Sequence, residues 1–598
     1  MIRYPRLILF CLLVAGCATG DWQSREQEPS SASPESRRLA EIFENYFEAY
    51  LELFPLFATR IGDHRYDDRL DISIGAEHRG RQQKLYQETL NQLSIIDIPQ
   101  LSVRERLYHD ILTRALRQRL EAAKFPGYLL PVRQLASLPI EFPLLGSGSG
   151  SHPFKTVRDY ENFLKRIDGF EGWVETAIAN MREGIREGVV QPAVVVERTL
   201  PQLEAMLVKD PTESLFYQPI KRLPDHFNIA ERDRLARAYK DAIEKKILPT
   251  YGKLVAFMRD EYSNRSRATI AWSDLPDGRA WYDFQVRSQT TTNLTPEEIF
   301  QIGLDEIARI QKEMEQVKDR SGFHGTAEEF SRYLTKAAPR PFNSRDSLVK
   351  GYQAISKTVA PHVSKLFGRI PNAPFEIRTI EEFRERSAPS QYWSASPDGS
   401  RPGIFYVNAS GIEKAARRAS EALFLHEAIP GHHFQISLQQ ERKALPRFQR
   451  FGGYTAFIEG WALYAESLGA VLGLYREPDQ EFSRLNSELF RAVRLVVDVG
   501  LHRKGWSREQ AMKFMMETTL VGEGGAALEI DRYIANPAQA LAYKIGQLKI
   551  STIRAKAEKA LGSRFDLRAF HDELLQDGSL PLDILEAKMD RWIDQSRR

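Results

Sequence analysis

The chain has 598 residues, 42% of them hydrophobic, and a net charge of only +3. That composition suits a large globular core, and the near-even charge, without a basic stripe interleaved with aromatics, gives no sign of a nucleic-acid partner. Both cysteines, Cys11 and Cys17, fall in the first seventeen residues, so neither a disulfide framework nor a cysteine zinc site can exist in the body.

In chain order, the first feature is an address. Arg3 and Arg6 precede an apolar run from Leu7 to Ala15, which is the layout of a secretory signal. The run is too short to span a bilayer, which takes ~20 apolar residues. Val14-Ala15-Gly16-Cys17 resembles the bacterial lipobox, in which cleavage leaves a lipid-bearing cysteine at the new N-terminus. Residues 1–16 are therefore expected to be a lipoprotein signal peptide, with Cys17 the lipidation site. Ala18, where Asp would resemble an inner-membrane retention signal, points to the outer membrane facing the periplasm. Residues 17–36 are rich in Ser, Glu and Pro and read as a flexible tether spanning roughly 25 Å.

From residue 37 to 598 the dominant pattern is helical. Apolar residues recur at helical spacing in residues 39–54, 104–120, 297–317 and 487–502. Thr295-Pro296-Glu297-Glu298 has the form of a helix start. Short aromatic and β-branched runs predict strands at residues 279–286 and 403–407 (GIFYV). The expected fold is mostly α: a large body of two packed lobes with a small sheet beside the metal-binding helix. A lobe boundary could fall in the largely polar stretch 263–279. Two glycine-rich patches carry no chemistry. Residues 144–153 place Gly148 where a nucleophile elbow needs Ser, and Gly522–Ala527 lacks the βαβ setting of a dinucleotide site, so no nucleotide is expected.

Three of the twelve histidines lie within eight residues, His426, His432 and His433, in LFLHEAIPGHHFQ, after a stretch 412–425 that reads as helix. An adjacent His-Glu on a helix is the opening of the zincin motif, in which His ligates the metal and Glu is the base. The usual second histidine, at i+4, is here Pro430. A proline inside a helix removes a hydrogen bond and clashes with the preceding turn, so the backbone should break at Ile429-Pro430-Gly431 and could swing a later histidine back. His432 needs a two-residue insertion relative to i+4 spacing and His433 needs three. Downstream, residues 453–470 (GYTAFIEGWALYAESLGA) read as a helix with Glu459 and Glu466 two turns apart on one face. A metal beside Glu459 and a ligand histidine beside Glu466 would offset the cost of placing carboxylates among large apolar residues.

These residues carry a resemblance. Phe457-Ile458-Glu459-Gly460-Trp461-Ala462 is similar to the segment of gluzincin aminopeptidases whose glutamate binds zinc. HEAIPGHH followed by EGWALYAE resembles the bacterial family known as domain of unknown function 885, placed among gluzincin-like metallopeptidases. The segment from Pro55 to Gly62 resembles the family opening. Arg532 to Gly546 resembles its late signature, with Ala538 where the family usually has Gly. The resemblance implies that His426, His432 and Glu459 hold Zn2+ and that Glu427 is the catalytic base. Its Pro-Gly-His element agrees with His432 rather than His433.

Other groups are candidates for support or substrate contact. His433 would face the substrate, back up the metal ligands or simply pack. Asp498 and His502, four apart on one helix face, could pair to orient the imidazole or serve structure alone. In the cluster Arg532, Tyr533, Tyr543 and Lys544, a tyrosine hydroxyl could stabilise a tetrahedral intermediate, and Arg532 or Lys544 could hold a peptide carboxylate. The functional expectation is zinc-dependent hydrolysis of short peptides at the cell envelope. The alternatives are a catalytically silent zinc-containing binding lipoprotein and an amidase acting on cell-wall peptides. In gluzincin-like enzymes an edge strand binds the substrate backbone, and residues 403–408 (GIFYVN) are the candidate for it here.

Overall fold

The computed structural model describes residues 33–337, 342–381, 385, 389–397, 399, 401–412 and 419–597. The expected signal segment 1–16, Cys17 and residues 18–32 lie outside the described residues. The first helix, α1 (Pro34–Leu53), takes in the last residues expected in the tether: the Ser33 hydroxyl accepts from Ser36 N, and Pro34 occupies the first turn. Leu39, Ile42, Phe43, Tyr46, Phe47 and Leu51 are its buried face, at helical spacing.

The protein is mostly α-helical. The long helix α2 (Val157–Glu187) organises a core that draws its buried side chains from between Leu70 and Tyr262. A larger core runs from α1 to the C-terminal helices and encloses the candidate site. Residues 279–286 are not a strand but the middle of α3 (Gly278–Thr290), which buries Trp281, Tyr282, Phe284 and Val286. A short apolar run does not by itself distinguish strand from helix, and here packing on several sides favours the helix. Next, α4 (Pro296–Arg320) starts with a full capping box: Thr295 Oγ1 accepts from Glu298 N at 3.2 Å, and Glu298 Oε2 accepts from Thr295 N at 2.8 Å.

A small sheet follows, with β1 (Phe375–Thr379), β2 (Gln391–Trp393) and β3 (Gly403–Val407) in the order β1-β3-β2. β3 is parallel to β1, with Phe375 opposite Gly403, and antiparallel to β2, with Tyr392 opposite Phe405. This corrects the expectation for residues 403–408. The strand forms, but it is central and wholly buried, so it has no free edge for a substrate backbone.

Six helices complete the site region: α5 (Glu421–Glu427), α6 (His432–Glu441), α7 (Thr455–Glu466), α8 (Pro478–Arg503), α9 (Glu523–Ala535) and α10 (Leu541–Leu561). α4 packs along α8, and α7 along α10. The second pairing is intimate because two glycines meet. A Cβ on Gly546 would lie 1.8 Å from the Ala456 carbonyl, and one on Gly460 would lie 2.4 Å from Gly546 C. No helix among the described residues is long and apolar enough to cross a membrane.

Candidate functional site

α5 starts only at Glu421, capped by the Ser420 hydroxyl, which accepts from Leu423 N at 3.2 Å. His426 and Glu427 therefore sit in its last turn rather than after a long helix. The helix stops where the sequence requires, because Pro430 cannot continue it. Residues 428–431 turn sharply, through a cis Ile429–Pro430 bond, and α6 begins at His432. The turn is tight enough that a Cβ on Gly431 would fall 1.9 Å from the His426 carbonyl, so only glycine fits. Trp461 Nε1 donates to the Pro430 carbonyl at 2.8 Å and fastens the bend to α7.

The break brings the two imidazoles together, with ring centroids 4.8 Å apart. Glu459 Oε2 lies 3.5 Å from His426 Nε2 and 3.4 Å from His432 Nε2. Ligand atoms of all three residues fall within 4.8 Å of one another. Two atoms each ~2.0–2.1 Å from one tetrahedral ion would stand about 3.3–3.4 Å apart, so the spacing suits a shared cation. On the far side of the ring, His426 Nδ1 is 2.9 Å from Glu466 Oε1, the carboxylate–histidine arrangement that fixes a ligand imidazole.

The electrostatics point the same way. Burial would raise the Glu459 carboxyl, but the adjacent His432 and His426 outweigh it and hold the group well below the usual carboxylate range. Burial also opposes charge on His426, yet Glu459 and Glu466 lift it to about 9. Glu459 Oε2 and Glu466 Oε2 are buried without hydrogen-bond partners. Buried carboxylate oxygens left in this way call for a cation. His426, His432 and Glu459 thus have the donor set, spacing and unmet polarity to hold a divalent ion. Glu427, beside His426, is buried, and burial pushes its carboxyl upward against the pull of His426 and His432.

Of the other supporting candidates, Tyr543 feels the cluster: burial and then the charge of Glu459 raise its hydroxyl. Gln539 Nε2 donates to that hydroxyl at 3.4 Å. The others serve the scaffold. His433 turns away to the sheet, with Nδ1 3.0 Å from Tyr392 Oη and its ring against Phe375, so it does not face the site expected for it. Asp498 and His502 do not pair with each other. Asp498 accepts from Tyr282 Oη at 2.7 Å and from Ala538 N at 3.0 Å. His502 accepts from Trp272 N at Nδ1 and bonds the Tyr533 carbonyl through Nε2. Lys544 is buried against Glu488, Gln547 and Glu306 at 2.6–2.8 Å, which leaves it no freedom to hold a peptide carboxylate. Tyr533 Oη donates to Glu529 at 2.6 Å, and Arg532 spans Gln539 and Glu529. Arg491 and Arg494 on α8 were not anticipated. The signal available was two guanidiniums set in the otherwise apolar run Leu489–Val497.

The sequence model of a family described as bacterial protein of unknown function (DUF885) matches residues 55–589. The chain belongs to that family. Among solved structures, it is similar to a candidate lipoprotein from Colwellia psychrerythraea, with TM-score 0.87 and 26% identity over 94% of this chain and 100% of that one. It is also similar in fold to a candidate lipoprotein of unknown function from Shewanella oneidensis, with TM-score 0.71 and 18% identity over 94% of this chain and 100% of that one. No curated protein matches the sequence.

Proposed function

We propose that this member of the family is a zinc-dependent hydrolase of peptide bonds in short peptides, held to the envelope by a lipid on Cys17. The observation that carries the proposal is the convergence of His426, His432 and Glu459, with a buried carboxylate, Glu427, next in sequence to His426 and outside that group. Two histidines and one carboxylate are the protein ligands of catalytic rather than structural zinc sites. Zinc bound there would act as a Lewis acid and lower the pKa of a water to about 7.

The protein's own groups do the rest. Glu466 fixes the His426 ring through Nδ1, leaving Nε2 for the ion. Glu427, its carboxyl raised by burial, is suited to accept a proton from the attacking water and return it to the leaving amine. The Tyr543 hydroxyl, which accepts from Gln539, keeps its own proton to donate to the carbonyl oxygen as charge develops there. A silent binding protein would have no use for a base at position 427.

The anchor reading rests on Val14-Ala15-Gly16-Cys17 and is supported by the lipoprotein descriptions of both structural neighbours; Ala18 after the cysteine favours the outer membrane facing the periplasm. Metabolic labelling with a fatty acid tests it: label should appear on the native chain and vanish in Cys17→Ser, and an unlabelled native chain would overturn it. The activity is tested by incubating purified protein with a peptide library, with and without chelator, and identifying products by mass spectrometry. Cleavage that stops with chelator and returns with zinc is expected. No cleavage by the zinc-loaded protein would overturn the proposal.

A further inference from the structure

Two arginines that this chemistry does not use sit one turn apart on α8. Arg494 is only 6% exposed. One edge of its guanidinium is taken, with Nε donating to Tyr533 Oη at 3.0 Å and Nη2 to Glu529 Oε2 at 3.2 Å. Its Nη1 is buried without a partner. Arg491 Nη1 donates to the Ser487 carbonyl at 3.1 Å and to the Ser487 hydroxyl. Its Nε is also buried without a partner, and its Nη2 stands 3.9 Å from Glu466 Oε1, beyond hydrogen-bond reach. Buried polar groups are almost always paired, so unmet guanidinium N–H groups on one helix face mark a place for an acceptor that the chain does not supply.

Both arginines border the histidine–glutamate cluster. Arg491 stands next to Glu466, which holds His426, and its charge reaches Glu427. Arg494 lies over the Tyr543 ring at 4.5 Å, and Tyr543 in turn feels the charge of Glu459. Arg494 and Arg532, which donates to Glu529 at 2.8 Å, share that one carboxylate, and the carboxylate beside Arg491 is Glu466, with its oxygen at 3.9 Å. The unmet groups, Arg491 Nε and Arg494 Nη1, are cationic N–H donors, and the acceptor they favour is an anion.

We propose that Arg491 and Arg494 bind the C-terminal carboxylate of the substrate peptide, which makes the protein a carboxypeptidase or dipeptidase. The inference rests on the reading of the cluster as a peptide hydrolase and names its substrate class. Arginine suits the role because its fixed fork of N–H groups matches a planar carboxylate. A terminal carboxylate also lies at a set distance from the last peptide bond whatever the side chains. At ~3.3–3.6 Å per residue, an anchor bordering the ligand cluster admits only one or two residues beyond the cleaved bond.

The test is binding rather than turnover, so that its failure is distinct from failure of the hydrolase reading. Glu427→Gln protein is titrated calorimetrically with a tripeptide acid, with its C-terminal amide, and with the same amide carrying a glutamate side chain. The acid should bind roughly ten- to a hundredfold more tightly than either amide, the scale of charge-assisted hydrogen bonds. Arg491→Gln and Arg494→Gln should each remove most of that preference. Because Arg494 is buried, the acid–amide comparison with both arginines intact decides by itself: equal affinities overturn the proposal. A glutamate-bearing amide that binds as tightly as the acid would assign the pair to a side-chain carboxylate and overturn the terminal assignment.

Discussion

Glu466 touches no ion in this account, yet its replacement should be felt at the metal. Glu466→Gln keeps the shape of a side chain that is 2% exposed and removes the charge that His426 Nδ1 meets at 2.9 Å. A hydrogen bond to a charged group contributes about 1.5–3 kcal/mol and a neutral one about 0.5–1.5. The imidazole then loses roughly 1–1.5 kcal/mol of support, a factor of about 5–13 in affinity. Loss of such outer partners typically costs about 10–100-fold in metal affinity. The expected result is zinc binding weaker by about tenfold, measured by competition with a chromophoric chelator. Unchanged affinity would refute the role given to Glu466. A loss beyond about ten-thousandfold would make it a direct ligand instead.

Three further outcomes follow from the geometry. His432→Ala should lose zinc, and His433→Ala should keep most of it while melting at lower temperature, because His433 is packed between Phe375 and Tyr392; metal analysis that gave the reverse would reassign the ligand. Ala538 adopts φ +64°, a conformation that glycine takes without strain, so Ala538→Gly should stabilise the protein by about 1 kcal/mol in a denaturant titration, and a loss would contradict that reading. Burial raises the Asp498 carboxyl to about 7, so its stabilising contribution is complete below the ordinary carboxyl range and is lost as pH rises through about 7. Asp498→Asn should flatten the decline in melting temperature between pH 5 and 8, and parallel curves for the two proteins would refute this.

The convergence of His426, His432 and Glu459 was legible in the sequence because its logic is local. Pro430 in place of the i+4 histidine forces the break, and the break makes room for His432. Glu459 and Glu466, two turns apart, divide into ligand candidate and ring holder for the same reason of spacing. What depends on distant partners was not legible. Residues 279–286 became helix through packing that a short aromatic run does not encode. GIFYV formed a strand but lost its free edge to β2, only three residues long. The positions of Lys544, His433 and Asp498 could be read, but not the partners that hold them. Arg491 and Arg494 stand out only once the atoms across from them are known.

The most direct test measures zinc content and peptide turnover on one preparation of Glu427→Gln. A group that moves the proton without holding the ion should leave about one zinc per chain, while turnover falls by roughly a hundred- to ten-thousandfold. Turnover at the native rate with zinc retained would contradict the account at its centre.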